Sequence, residues 1–199
     1  MIRPPVLIYA TPRSGSSLIT RIFHEHGFWV GDHVMKAEYP NYENIDLKNA
    51  LRTIVWRSRD ERGNRYLKKG YTKNDFRNIV AEIVPHDTPW VFKTGIDWWD
   101  LWSGFCDDMR FVFVKRDIPG VVQSHHQRLG RNELDVEEAT RIRYGIMDVL
   151  SKVHNIPIVK SHQVVEGNFD TLQPAFTQCG VAMDPRIVRG CIEPERWHF

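Results

Sequence analysis

Within Thr11-Pro12-Arg13-Ser14-Gly15-Ser16-Ser17 the residue types suit one task, holding an anion. Two or three hydroxyls can donate hydrogen bonds, Arg13 adds a guanidinium, and Gly15 permits a tight turn. The stretch interrupts an apolar run, Val6-Leu7-Ile8-Tyr9. It is followed by a helical pattern with Leu18, Ile19, Ile22 and Phe23 on one face. That order is strand, turn, helix. A turn of this kind leaves backbone N–H groups at a helix N-terminus, where the dipole favours negative charge. The predicted chemistry is phosphate binding.

A Walker A loop, G-x-x-x-x-G-K-[ST], is the nearest nucleotide template. In that register Ala10 replaces the first glycine, Gly15 is the second, Ser17 is the final hydroxyl, and Ser16 takes the place of the lysine. That lysine normally reaches the β- and γ-phosphates of a triphosphate. Arg13 is the one nearby cation in the loop. The stretch is suited to a terminal phosphate and poorly equipped for Mg-ATP.

A second candidate lies at Phe111-Val112-Phe113-Val114-Lys115-Arg116-Asp117-Ile118-Pro119. Four successive β-favouring apolar residues read as a buried parallel strand. Pro119 fits the first turn of a helix, where its missing N–H is harmless. Arg116 therefore stands at the C-terminal end of a strand, the edge where open α/β sheets bind ligands. Its planar guanidinium suits bidentate phosphate binding. The plainer reading pairs Arg116 with Asp117. Ser124 lies eight residues beyond Arg116, on the helix.

Together the two stretches resemble the donor site of sulfotransferases. Thr11 to Leu18 is similar to the family's 5′-phosphosulfate loop, [TY]-P-[RK]-S-G-[TS]-[TS]. Arg116 and Ser124 match the residues that bind the 3′-phosphate. The resemblance implies an α/β fold, a three-layer sandwich around a mainly parallel sheet of P-loop NTPase type. It implies 3′-phosphoadenosine 5′-phosphosulfate (PAPS) as donor and adenosine 3′,5′-bisphosphate (PAP) as product. The implied donor-binding set is Arg13, Ser14, Gly15, Ser16, Ser17, Leu18, Arg116 and Ser124, and no metal is required. Trp90-Val91-Phe92-Lys93-Thr94-Gly95 resembles the family's strand ending in Lys-Thr-His, which makes Lys93 a catalytic candidate beside Arg13. Gly95 occupies the position of the histidine that often serves as base. Some branches keep a carboxylate shortly after the phosphate-loop helix, which makes Asp32 and His33 the base candidates, with Glu38 a further option.

The elements needed to position these groups are legible as an α/β alternation without internal repeats. Periodicity predicts helices over Asp46–Ser58, from an Asn74 cap to Val84, and from an Asp135/Glu138 capping box to His154. The last is assigned a buried stripe of Ala139, Ile142, Ile146, Val149 and Val153. Strands are predicted at Trp90–Thr94 and Ile156–Lys160, a short one at Phe28–Val30, and a further helix at Asp170–Cys179. Trp98, Trp99 and Trp102 read first as packing against the sheet, with adenine stacking or an acceptor-pocket wall as the alternative. Parallel strands would bring four polar ends together: the Arg13 loop, Lys93-Thr94, Arg116-Asp117 and Lys160-Ser161-His162. Lys48, Arg52, Arg57 and Arg59 form a basic region that reads as a solvated helix face or as a surface for an anionic acceptor.

The 199 residues suffice for one domain with a substantial core, here residues 1–199. A formal net charge of +2 gives no reason to expect a nucleic-acid partner. Three scattered cysteines make neither a disulfide framework nor a zinc pattern. No apolar run approaches membrane-spanning length, and Met1-Ile2-Arg3-Pro4-Pro5 leads straight into the first strand, so a cytoplasmic setting is expected. The function expected is sulfuryl transfer from PAPS to the hydroxyl of a small-molecule or carbohydrate acceptor, with a homo-oligomer as one way of completing a small acceptor pocket. A P-loop small-molecule or nucleoside kinase and a silent nucleotide-binding module are the alternatives.

Overall fold

The computed structural model describes residues 5–32, 42–58, 63–105, 108–130 and 132–193. In chain order these form β1 (Val6–Ala10), α1 (Ser16–Glu25), α2 (Ile45–Ile54), α3 (Lys73–Ile83), β2 (Val91–Thr94) and α4 (Trp99–Trp102). They continue with β3 (Arg110–Lys115), α5 (Ile118–Leu129), α6 (Glu133–His154), β4 (Ile158–Lys160), α7 (Ser161–Val165), α8 (Gln173–Gln178) and α9 (Pro185–Cys191).

All five residues of β1 are buried, as a central parallel strand requires. The sheet order is β2-β1-β3-β4 and every pairing is parallel. Tyr9 pairs with Thr94 on one side and with Phe113 on the other, and Lys115 pairs with Lys160. The C-terminal ends of all four strands therefore meet on one edge, as the alternation predicted.

The faces of β1 separate two cores, because side chains alternate along a strand. Val6, Ile8 and Ala10 join Val112 and Val114 under α1 and the α7–α9 region. Leu7 and Tyr9 join Phe92 and Phe113 under α2, α3 and part of α6. The result is an α/β three-layer sandwich around a parallel sheet. Trp102 is fully buried, and Trp99 packs against Tyr9 and Phe111, so core packing holds for both.

Several boundaries differ from the periodicity. α2 ends at Ile54 because Val55 turns extended and bridges antiparallel to Leu67. α3 begins two residues sooner than an Asn74 cap allows: Thr72 caps it, in a capping box with Asp75. The cap of α6 is Asn132, whose side chain accepts the Leu134 N–H, and not an Asp135/Glu138 box. Phe28–Val30 contributes only a single bridge, Trp29 to Trp90. The helix predicted at Asp170–Cys179 shortens to Gln173–Gln178, and α9 follows it among the described residues.

The larger correction concerns which face of α6 is buried. Ile142, Ile146, Val149 and Val153 are exposed, by 58%, 41%, 61% and 68%, while Val136, Thr140, Tyr144 and Met147 are buried. The helix carries two apolar stripes, and periodicity cannot choose between them. Tyr144 decides the matter, since its hydroxyl accepts the backbone N–H of Arg116 at 2.9 Å. Among the described residues no helix is long and apolar enough to cross a membrane.

This assignment makes a contrast measurable by chemical denaturation. Met147→Ala should cost about 2–5 kcal/mol, the usual toll of a buried methionine. Val149→Ser should stay within about 0.5 kcal/mol, as exposed substitutions do. Equal losses at both sites would mean that the outer stripe is also packed.

Candidate functional site

The loop after β1 turns through two left-handed residues, Arg13 at φ 68° and Gly15 at φ 83°. For glycine this costs nothing, whereas Arg13 carries about 1–2 kcal/mol of steric penalty. Contacts from distant elements hold the turn. Arg13 Nε donates to Ser124 Oγ on α5 at 2.8 Å. Buried His125 places Nε2 3.3 Å from the Pro12 carbonyl. Ser161 Oγ, at the start of α7, bridges the carbonyls of Ser14 (2.7 Å) and Lys115 (3.2 Å). The Ser14 hydroxyl faces inward and donates to the Thr11 carbonyl at 2.8 Å, so it shapes the turn. Ser16 and Ser17 line the open side of the loop. Leu18 is buried against the core below.

Arg116 is 7% exposed, at the end of β3. Asp117 caps α5 by accepting the Gly120 N–H at 2.8 Å, and its other oxygen lies 3.6 Å from Arg116 Nε. The pairing with Asp117 is thus a long one. A Cβ on Gly120 would sit 2.6 Å from Arg116 Nε, so the guanidinium lies directly over the first turn of α5. Gly120 and Ser124 are one turn apart on the same helix face. Arg116, Ser124 and Arg13 therefore form one continuous polar surface, joining the two motifs that the sequence keeps 111 residues apart.

Beyond the loop opens a cleft of about 830 Å³. Lys93, from β2, reaches across it and donates to Ser17 Oγ at 3.0 Å. Its Nζ also lies 3.6 Å from Glu43 Oε1, and the other Glu43 oxygen binds Lys48. Burial pushes the Lys93 ammonium down to about 8, with Glu43 opposing the shift. Burial pushes the Glu43 carboxyl up, but Lys93 and Lys48 outweigh it and hold Glu43 below the usual carboxylate range. A cation normally supplied by the loop thus arrives from β2, paired with a carboxylate in the same cleft.

Sequence reasoning missed Glu43. Its signal was faint: a glutamate just before the Asn44 cap of α2, whose amide oxygen accepts the Leu47 N–H. Asp32 stands apart. It is exposed, accepts the indole N–H of Trp29 at 2.9 Å, and does not line the cleft. His33, Glu38 and Arg59 lie outside the described residues. Lys48, Arg52 and Arg57 do line the cleft, as does Trp98. Lys160 is exposed at the end of β4 and does not.

At Gly95, where the sequence departs from the Lys-Thr-His pattern, the space a side chain would enter is taken by Asp97. A Cβ there would lie 2.3 Å from Asp97 Oδ1, and Asp97 is itself held by Arg65 Nε at 2.9 Å.

No protein-family model matches the chain, and no curated protein matches it in sequence. Solved structures do match. The sulfotransferase domain of the olefin synthase of Synechococcus PCC 7002 superposes with a TM-score of 0.58 at 15% identity, over 98% of this chain and 79% of that one. The sulfotransferase domain from the curacin biosynthetic pathway gives 0.54 at 14% identity, over 94% and 77%. Sulfotransferase STF1 of Mycobacterium tuberculosis H37Rv gives 0.53 at 10% identity, over 100% and 73%. The chain has the sulfotransferase fold. On that fold the two motifs occupy neighbouring strand ends, and the cleft opens beside them.

Asp97 and position 95 provide a check on the cleft wall. Gly95→Ala should destabilise the protein by about 1–3 kcal/mol, the usual cost of overpacking. In an Asp97→Ala background the same change should cost much less. A double-mutant cycle with no coupling would show that Asp97 does not occupy the space beside Gly95.

Proposed function

We propose that this chain is a sulfotransferase that uses PAPS as donor and an alcohol as acceptor. The observation that carries the reading is the Arg13–Ser124 bond, which joins the phosphate loop to the surface beneath Arg116. Two separate anionic groups, one at each end of a single nucleotide, suit this arrangement better than a chain of three phosphates on one loop. The gap above Gly120 supports it too, because Arg116 fills the volume that a side chain would take.

In this reading the loop amides, Ser16 and Ser17 hold the phosphosulfate end, and Arg116 and Ser124 hold the 3′-phosphate. The donor supplies an activated sulfuryl group. Arg13 and Lys93 offset the negative charge that grows on the leaving phosphate and the sulfuryl oxygens. Lys93 carries its proton at neutral pH, since its value of about 8 lies above it. Glu43 is the base, in place of Asp32 or His33: it lines the cleft and is held ionised, ready to accept the acceptor's hydroxyl proton. As Lys93 turns toward donor oxygens its hold on Glu43 loosens, and the carboxylate becomes more basic.

Titration calorimetry with nucleotides tests the donor reading. PAP should bind more tightly than AMP, and Mg-ATP weakly. Arg116→Ala should cut PAP affinity by about 10- to 150-fold, the worth of a charged hydrogen bond, while barely changing AMP. Equal losses for PAP and AMP would remove Arg116 from the 3′-phosphate. Mg-ATP binding as tight as PAP would favour the kinase alternative.

Turnover with PAPS and a working alcohol acceptor tests the base. Glu43→Gln should lower the rate by roughly 10²–10⁴-fold while most PAP affinity remains. Asp32→Asn should turn over at the wild-type rate. The opposite pattern would return the role to Asp32.

A further inference from the structure

We infer that the acceptor bound here is an anionic alcohol, a hydroxyl compound that also carries a carboxylate or phosphate group. The inference rests on the sulfotransferase reading for which end of the cleft is reactive.

Among the described residues seven cationic side chains and two acidic ones line the cleft, while the whole chain carries only +2. Positive charge is therefore concentrated in this concavity and not spread over the surface. Arg13 and Lys93 face the donor end. The acids are already engaged: Glu43 lies between Lys93 and Lys48, and Asp97 accepts from Arg65. Among the described residues neither Arg52 nor Arg57 forms an ion pair. Cations lining a cleft with low-dielectric walls focus their field into it and draw anions in.

The wall is built, and its residues come from separate segments. Lys48 and Arg52 stand one turn apart on α2, a rise of about 6 Å. Arg65 donates from Nη1 to the carbonyls of Trp56 (3.2 Å) and Arg57, which fixes the backbone that presents Arg57. A solvated helix face would need none of this cross-bracing. Contacts run from Ser17 to Lys93, from Lys93 to Glu43 and from Glu43 to Lys48, with Arg52 one helical turn beyond Lys48. A hydroxyl delivered to Glu43 thus leaves the far end of the acceptor against Arg52 and Arg57. Val55, Phe92 and Trp98 line the same cleft and offer apolar contact to the body between.

The test is calorimetry at low ionic strength, with and without saturating PAP. The probes are glycerol 3-phosphate, 4-hydroxybutyrate and the neutral 1,4-butanediol. At least one anionic probe should bind more tightly than the diol and weaken with added salt; the phosphate and carboxylate arms tell which anion is preferred. Arg52→Ala/Arg57→Ala should cut that affinity roughly 3- to 30-fold, the sum of two exposed charge contacts, and leave PAP binding intact. Equal binding of the diol, absence of binding by both anions, or anion binding unchanged in the double variant would overturn the inference. Failure of PAP to bind would instead sink the donor reading. The dependence of anion binding on Arg52 and Arg57 is read either way.

Discussion

A strand buried on both faces can end only at the sheet edge, and that constraint organises this molecule. β1 lies between β2 and β3 with two cores pressed against it. A one-residue slip would drive Leu7 and Tyr9 into the α1 layer and Ile8 out of it, so its register is fixed. The chain leaves β1 at Ala10 and must reach α1 within five residues. It does so through two left-handed residues, which turns the start of α1 toward the ends of β2 and β3. The penalty at Arg13 is offset by contacts from α5, and the residues that hold the turn also furnish the polar surface beside it.

What was legible in the sequence was what is decided locally. A turn with glycine and hydroxyls after an apolar run, and a proline just inside the helix after Arg116, state their geometry without distant partners. The loop after β1 and the strand end at Arg116 could be read for that reason. The outer stripe of α6 misled because periodicity records an apolar face but not its neighbour. The hydrogen bond from Arg116 to Tyr144 commits the helix to the other face. Glu43 was illegible for a related cause. Nothing near it in sequence marks it, and its character comes from Lys93, which arrives from a strand fifty residues on.

At the Lys93–Glu43 pair stability and retained charge pull apart. A lysine buried this deeply pays in desolvation, visible as its fall to about 8. A hydrophobic residue would serve the core better. The ammonium remains in reach of Ser17 on the loop, and it restrains a carboxylate that would otherwise be driven toward its neutral form by burial. Each group keeps the other charged, so removing either changes its partner. Variants at Lys93 and Glu43 should therefore be non-additive, and neither single substitution partitions the site.

Gly95 ties the two ends of the cleft together. With no side chain there, the Asp97 carboxylate can turn into the space above β2. That position lets it bind Arg65, and Arg65 in turn grips the backbone at Trp56 and Arg57. A histidine at position 95 would meet the Asp97 carboxylate and force it, with its Arg65 Nε contact, to shift. The glycine at the strand end and the segment at Trp56 and Arg57 are thus linked through Asp97 and Arg65. A side chain at position 95 would meet Asp97, whereas Glu43 enters the cleft from the opposite side, just before α2.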